Sequence, residues 1–217
     1  MKTVKFFAVA MVALVAATSS VKAQEFKASA DLVSQYVWRG TTFSGVSVQP
    51  TLDFTTGGFS VGAWGSAGFD GFLEADLYAK YAFGFGLTVG VTDYYYPGTS
   101  YFDFSKASGG HGLELNLGYT TGGLSISGNY ILNEAGGAAT AGGDKYFELG
   151  YAFEKFSIFA GAGDGWHTPD AKFALVNVGI STVKEIKITD TFSIPLKASA
   201  ILNPKTEQFY LVAGITL

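Results

Sequence analysis

The side chains of this chain that could do chemistry are few and regularly placed. Lys27, Asp31 and Arg39 are separated by even numbers of residues, as are Glu74, Asp76 and Lys80. Asp53, Glu114, Glu148 and Lys197 each fall on the polar parity of their own alternating runs. In a strand, even spacing places side chains on one face. Six acids and four bases sharing such faces have two uses. They can line a passage and bias which ions enter, or pair with one another in an enclosed polar network. Catalytic chemistry has weaker support. The only two histidines, His111 and His167, have no second His or Cys at metal-ligand spacing, and the chain has no cysteine, so neither a zinc-type site nor a disulfide framework is indicated. Ser108 lies near His111 in sequence, but a Ser-His pair is defined by geometry and no motif marks one here. The glycines sit in turns and strands rather than ahead of a helix, so no phosphate loop is indicated. The expectation is a non-enzyme with no cofactor and no bound metal.

The elements that must position these charges follow from parity. From Phe26 the even residues run Phe26, Ala28, Ala30, Leu32, Ser34, Tyr36, Trp38, against Lys27, Ser29, Asp31, Val33, Gln35, Val37, Arg39. Leu73, Ala75, Leu77 and Ala79 likewise oppose Glu74, Asp76, Tyr78 and Lys80, and Phe209, Leu211, Ala213 and Ile215 oppose Gln208, Tyr210, Val212 and Gly214. Extending the test along the chain predicts twelve strands, the first running from Phe26 to Trp38 with an outer loop over 38–45. Connections alternate between tight ("TTGG" at 55–58 and 120–123) and long (97–112, 133–144). That order suits an up-and-down barrel with short turns on one rim and long loops on the other. A Greek-key sandwich has no reason to produce it.

Composition supports the same class. Hydrophobic residues make up 48% and charged residues only 15%, yet no apolar stretch after the first residues is long enough for a membrane helix. Apolar residues hidden at every second position are the signature of a transmembrane β-barrel. Residues 1–23 read as a cleaved secretory signal, with Lys2 and Lys5 ahead of an apolar run and Val21 and Ala23 before a cut at Gln24. Losing Lys2, Lys5 and Lys22 leaves 11 basic against 18 acidic residues in the barrel domain, 24–217. That acidity argues against a nucleic-acid partner.

The stretch "LVSQYVWRGTTFSGVSVQPTLDFTTGGFSVGAWGS", residues 32–66, resembles the start of the TorF-like porin family, with Tyr36, Arg39, Gly40, Ser44, Pro50, Gly62, Trp64, Gly65 and Ser66 matching its pattern. The C-terminus departs from the common outer-membrane pattern in ending on Leu217 rather than Phe. The resemblance implies a bacterial outer-membrane barrel in contact with outer-membrane lipids, inserted by the barrel-assembly machinery, and passing small solutes through a narrow passive channel. A non-conducting barrel acting through its external loops is the alternative. Arg39 is expected at the outer end of the first strand, pairing with lumen acids such as Asp31 or Asp53. There it is either an electrostatic constriction or a strut for the first loop. Tyr94, Tyr95, Tyr96, Tyr101 and Trp166 are candidates for a sugar platform or an interfacial girdle. The excess of inward acids predicts a weak cation preference.

Overall fold

The computed structural model describes residues 24–217; the expected leader over 1–23 lies outside the described residues. Twelve strands close into one antiparallel barrel: β1 (Gln24–Val33), β4 (Ser47–Thr56), β5 (Phe59–Gly68), β6 (Leu73–Ala82), β7 (Leu87–Tyr95), β8 (His111–Thr121), β9 (Leu124–Ile131), β10 (Lys145–Ala152), β11 (Ser157–Gly165), β12 (Ala171–Lys187), β13 (Ser193–Asn203) and β14 (Gln208–Thr216). Neighbours in the wall are neighbours in sequence, and β1 closes the ring by pairing with both β4 and β14. The β1–β14 register covers only Asp31–Val33 against Gly214–Thr216. Two further strands, β2 (Tyr36–Trp38) and β3 (Thr41–Ser44), form a separate hairpin.

Alternation builds this wall because a one-residue slip would turn every polar side chain outward. The consequence is a burial pattern opposite to that of a water-soluble core. Leu77, Leu117, Leu149, Phe209 and Leu211 are exposed on the outside, while Glu74, Asp76, Glu114, Asn177 and Asn203 are buried within. Short connections at 57–58, 83–86, 122–123, 153–156 and 188–192 mark one rim. The other rim carries the long connections 34–46, 96–110 and 132–144, as expected, but also 69–72, 166–170 and 204–207, which are no longer than the turns of the first rim. Aromatic pairs gather on the short-turn rim, with Tyr81 against Phe83 and Tyr151 against Phe153, each at 4.8 Å between ring centroids. Phe69 and Phe102 are exposed on the long-loop rim.

One expectation fails at the first strand. Alternation through Ser34–Trp38 predicts a strand running on to Arg39 with an outer loop over 38–45. In the structure β1 stops at Val33, and residues 36–44 double back on themselves as β2–β3. The hairpin packs into the barrel's interior, burying Tyr36 and Ser44. Alternation cannot distinguish a strand that continues in the wall from one that pairs with its own return, because both have period two.

Candidate functional site in the lumen

The tip of the hairpin is Trp38–Arg39–Gly40–Thr41, with Trp38 and Thr41 paired. Arg39 and Gly40 have φ of 50° and 79°, the two left-handed residues that a type I′ turn requires. Gly40 is obligatory there for a second reason: a Cβ would lie 1.9 Å from the carbonyl oxygen of Val176 on β12. Asn203 Nδ2 on β13 donates to the Gly40 carbonyl at 2.9 Å. The hairpin tip therefore packs inside the barrel against the inner face of β12 and β13.

Arg39 adopts a conformation that costs an L-residue free energy, offset by what its side chain meets. Its guanidinium donates to both oxygens of Glu114, at 2.6 and 2.9 Å. It also lies over the rings of Trp38 and Tyr146, with centroids at 4.3 and 4.5 Å. The Glu114 side chain is 1% exposed and also accepts from Tyr94 Oη at 2.9 Å and Asn116 Nδ2 at 2.6 Å. A bidentate, fully hydrogen-bonded ion pair of this kind is strongly directional. Around it, Trp38 meets Tyr94 and Trp166 edge-on and lies beside His167. Tyr36 packs among Phe43, Trp64 and Phe72. Burial, with the positive charge of Arg39 nearby, pushes His167 down to about 3. Burial beside Glu74 pushes the Tyr36 hydroxyl far above its ordinary range, so that it stays a neutral donor.

Nine of the ten predicted lumen residues share the polar face of the wall, and Arg39 reaches them on the hairpin. Its partner is Glu114, which corrects the expected pairing with Asp31 or Asp53. Asp31 instead pairs with Lys197 at 2.8 Å and accepts from Thr216. Asp53 accepts from Tyr78 Oη at 2.6 Å, and Glu148 accepts from Tyr146 and Asn177. Lys27 lies opposite Asp53 in register, and Lys80 lies over the Tyr78 ring with its centroid at 5.5 Å. Glu74 and Asp76 are buried, and neither makes an ion pair among the described residues. Below the hairpin, toward the short-turn rim, a chamber of about 360 Å³ is lined by Tyr78, Lys80, Thr92, Asn116, Ser127 and Asn129 together with Ala79, Val91 and Leu117.

The residues that carry the sequence resemblance over 36–66 now have places. Tyr36, Arg39, Gly40 and Ser44 belong to the hairpin, and Pro50, Gly62, Trp64, Gly65 and Ser66 to β4 and β5, with Trp64 touching Tyr36. The aromatic residues proposed as a platform or girdle divide differently. Tyr94, Tyr96 and Trp166 enclose the hairpin from above. Tyr95 and Tyr101 pack on His111 instead. His111 opens β8 rather than lying in a loop. Its Nδ1 donates to Asp93 at 2.9 Å and its Nε2 lies 2.6 Å from the Tyr101 carbonyl, while the Ser108 hydroxyl is engaged by Asp103 and Ser105. Sequence reasoning missed Trp38, Tyr94, Asn116, Tyr146 and Asn177 as parts of the site. Tyr94 is read from the sequence only as part of a platform or girdle, and nothing in the chain signals that residue 39 meets residue 114. Among the described residues no cluster of three or more His, Cys, Asp or Glu could hold a metal.

The chain belongs to a bacterial family of unknown function, Gcw_chp, whose family model matches residues 16–183, a span that includes the hairpin and its Glu114 partner. No curated protein matches the chain.

Proposed function

We propose that this Gcw_chp protein is a bacterial outer-membrane barrel, a small-solute channel held shut at rest by its own first loop. The observation that carries the reading is the inverted burial, with apolar side chains exposed around the whole wall and carboxylates, amides and the Arg39 hairpin enclosed by it. Such a surface suits outer-membrane lipids, because in hydrocarbon a sheet satisfies every backbone group only by closing into a barrel. Strands of nine to eleven residues, the common length here, tilted at about 40° span about 25 Å of membrane. A wall charge turned outward at midplane costs about 2–4 kcal/mol for Arg or Lys, which accounts for the parity. The resemblance of residues 32–66 to the TorF-like porins points the same way, and insertion would use the barrel-assembly machinery. Twelve strands lie between the side-chain-filled eight-stranded barrel and the open sixteen-stranded porin. The interior is wide enough for a path and narrow enough for one hairpin to block it. The dense seat around Arg39 also supports a second reading, a permanently filled, non-conducting barrel whose work is done by its outer loops.

The absence of cysteine makes the placement directly testable. Lys106, in the 96–110 loop, has a side chain 82% exposed, and Gly84, in a short turn, has open space around its Cβ position. Lys106→Cys should react with a membrane-impermeant maleimide on intact cells, and Gly84→Cys only after permeabilisation. Equal labelling of the two on intact cells, or recovery of the protein in the soluble fraction, would overturn the membrane reading.

A further inference from the structure

Although the Tyr36 and Tyr96 hydroxyls lie beside Glu74, Glu74 and Asp76 stand apart from the Arg39–Glu114 ion pair. They stand two residues apart on the inward face of β6, just below the long-loop rim, and each is only 5% exposed. Glu74 Oε2 and Asp76 Oδ1 have no hydrogen-bond partner among the described residues. The one arginine of the interior is committed to Glu114. Two enclosed carboxylates without a counter-charge are costly to keep ionised out of water, and a cation beside them would offset that cost. An independent observation indicates where. Ser66 on β5 is the cross-strand partner of Glu74, is 4% exposed, and its hydroxyl also has no partner. A buried hydroxyl rarely remains without a partner in a native protein.

We propose that Glu74, Asp76 and Ser66 form a site for a hard divalent cation, calcium being the type, closed over by Tyr36 of the hairpin. The donor set is all oxygen, with two carboxylates to balance two positive charges and a neutral hydroxyl. That is the chemistry of calcium or magnesium and not of zinc or copper. The spacing is suitable. Directly opposed residues in an antiparallel pair have Cβ atoms about 5 Å apart, and i, i+2 neighbours on one face about 7 Å. Carboxylate side chains of this reach can converge on an ion with oxygen contacts of about 2.4 Å, water completing the shell. Neighbouring acids do not compete, since Glu114 is held by Arg39 and Asp93 by His111. Tyr36 touches Trp64, the cross-strand partner of Asp76, so an occupied site would also brace the base of the hairpin. The proposal does not depend on the barrel conducting.

Terbium luminescence tests it, with Trp64 and Tyr36 as built-in sensitisers, on the full-length barrel in detergent. Wild-type protein should give saturable sensitised emission that calcium displaces with a Kd of about 0.1–1 mM, the range of sites with few charged ligands, and that sodium and potassium do not. Asp76→Asn should weaken terbium binding at least tenfold and Ser66→Ala several-fold. Each variant is accepted only if it still migrates faster unheated than boiled. Should Asp76→Asn fail to fold, Ser66→Ala decides, because losing one hydroxyl leaves the wall intact. Absence of sensitised emission from the wild type, or wild-type binding by the folded variants, would overturn the site and leave the two carboxyls sharing a proton.

Discussion

Removing the Arg39 side chain should open the barrel, and the size of the effect follows from what it touches. Arg39→Ala deletes a bidentate ion pair with a carboxylate that is 1% exposed. Breaking a buried pair from one side costs about 3–5 kcal/mol, because the remaining charge loses its compensation. Glu114 keeps its donors Tyr94 and Asn116, which places the loss toward the lower end of that range. Contacts with the Trp38 and Tyr146 rings add about 0.5–2 kcal/mol. Alanine relieves none of the left-handed strain at φ 50°, so nothing returns on the other side. About 3 kcal/mol corresponds to more than a hundredfold shift between seated and displaced hairpin. The wall, held by its own backbone ladder, should be unaffected. Open probability in planar bilayers is the assay, with heat-modifiable migration as the control for an intact barrel. Glu114→Gln should act in the same direction, since it leaves Arg39 buried without its counter-charge. The double variant should open little more than either single one, because both act on one interaction. An intact Arg39→Ala barrel with open probability within twofold of wild type would refute the latch.

Two further outcomes follow from the same seat. His167 is neutral there, with a seated value near 3 against 6.5 in solvent. Its contribution is therefore complete above pH 6.5 and is lost progressively as pH falls toward 3. At pH 5 the loss is about 2 kcal/mol, or about thirtyfold in favour of a displaced loop. Acidification should raise open probability in the wild type and much less in His167→Gln, and an equal response in both would contradict the assignment. Gly40→Ala should unseat the hairpin as well, since its Cβ would collide with the Val176 carbonyl at a left-handed φ. Gly57→Ala, at φ 57° but in open space, should cost only about 1–2 kcal/mol of strain. Comparing the two variants by thermal stability and by conductance separates backbone strain from the loss of the seat.

The barrel was legible because its information is local. Each strand announces its two faces through residues such as Leu77 beside Asp76 and Tyr78, and one rim through its long loops. The lumen charges were legible for the same reason, since period two fixes which way Glu74, Glu114, Glu148 and Lys197 point. Partner choice was not, because it depends on tilt and on where the chain leaves the wall. Arg39 and Glu114 are 75 residues apart, and only the inward turn at Ser34 brings them together. That turn has no period of its own. Its trace in the sequence is Arg39–Gly40, a two-residue turn with glycine at a left-handed position, hidden inside a run that alternates like any wall strand. The same blindness assigned Trp166 and Tyr94 to a surface role, when they form the walls of the seat.

Excising the β2–β3 hairpin tests most directly its proposed role as the stopper of an outer-membrane barrel. A protein in which residues 35–45 are replaced by a short Gly-Ser linker keeps every wall strand, since β1 ends at Val33 and β4 begins at Ser47. Single-channel recordings of this protein and the wild type in planar bilayers should show long closed periods for the wild type and a steady, discrete conductance for the excised form. Steady wild-type conductance equal to that of the excised protein would contradict the account, and so would silence from an excised barrel that is inserted and heat-modifiable.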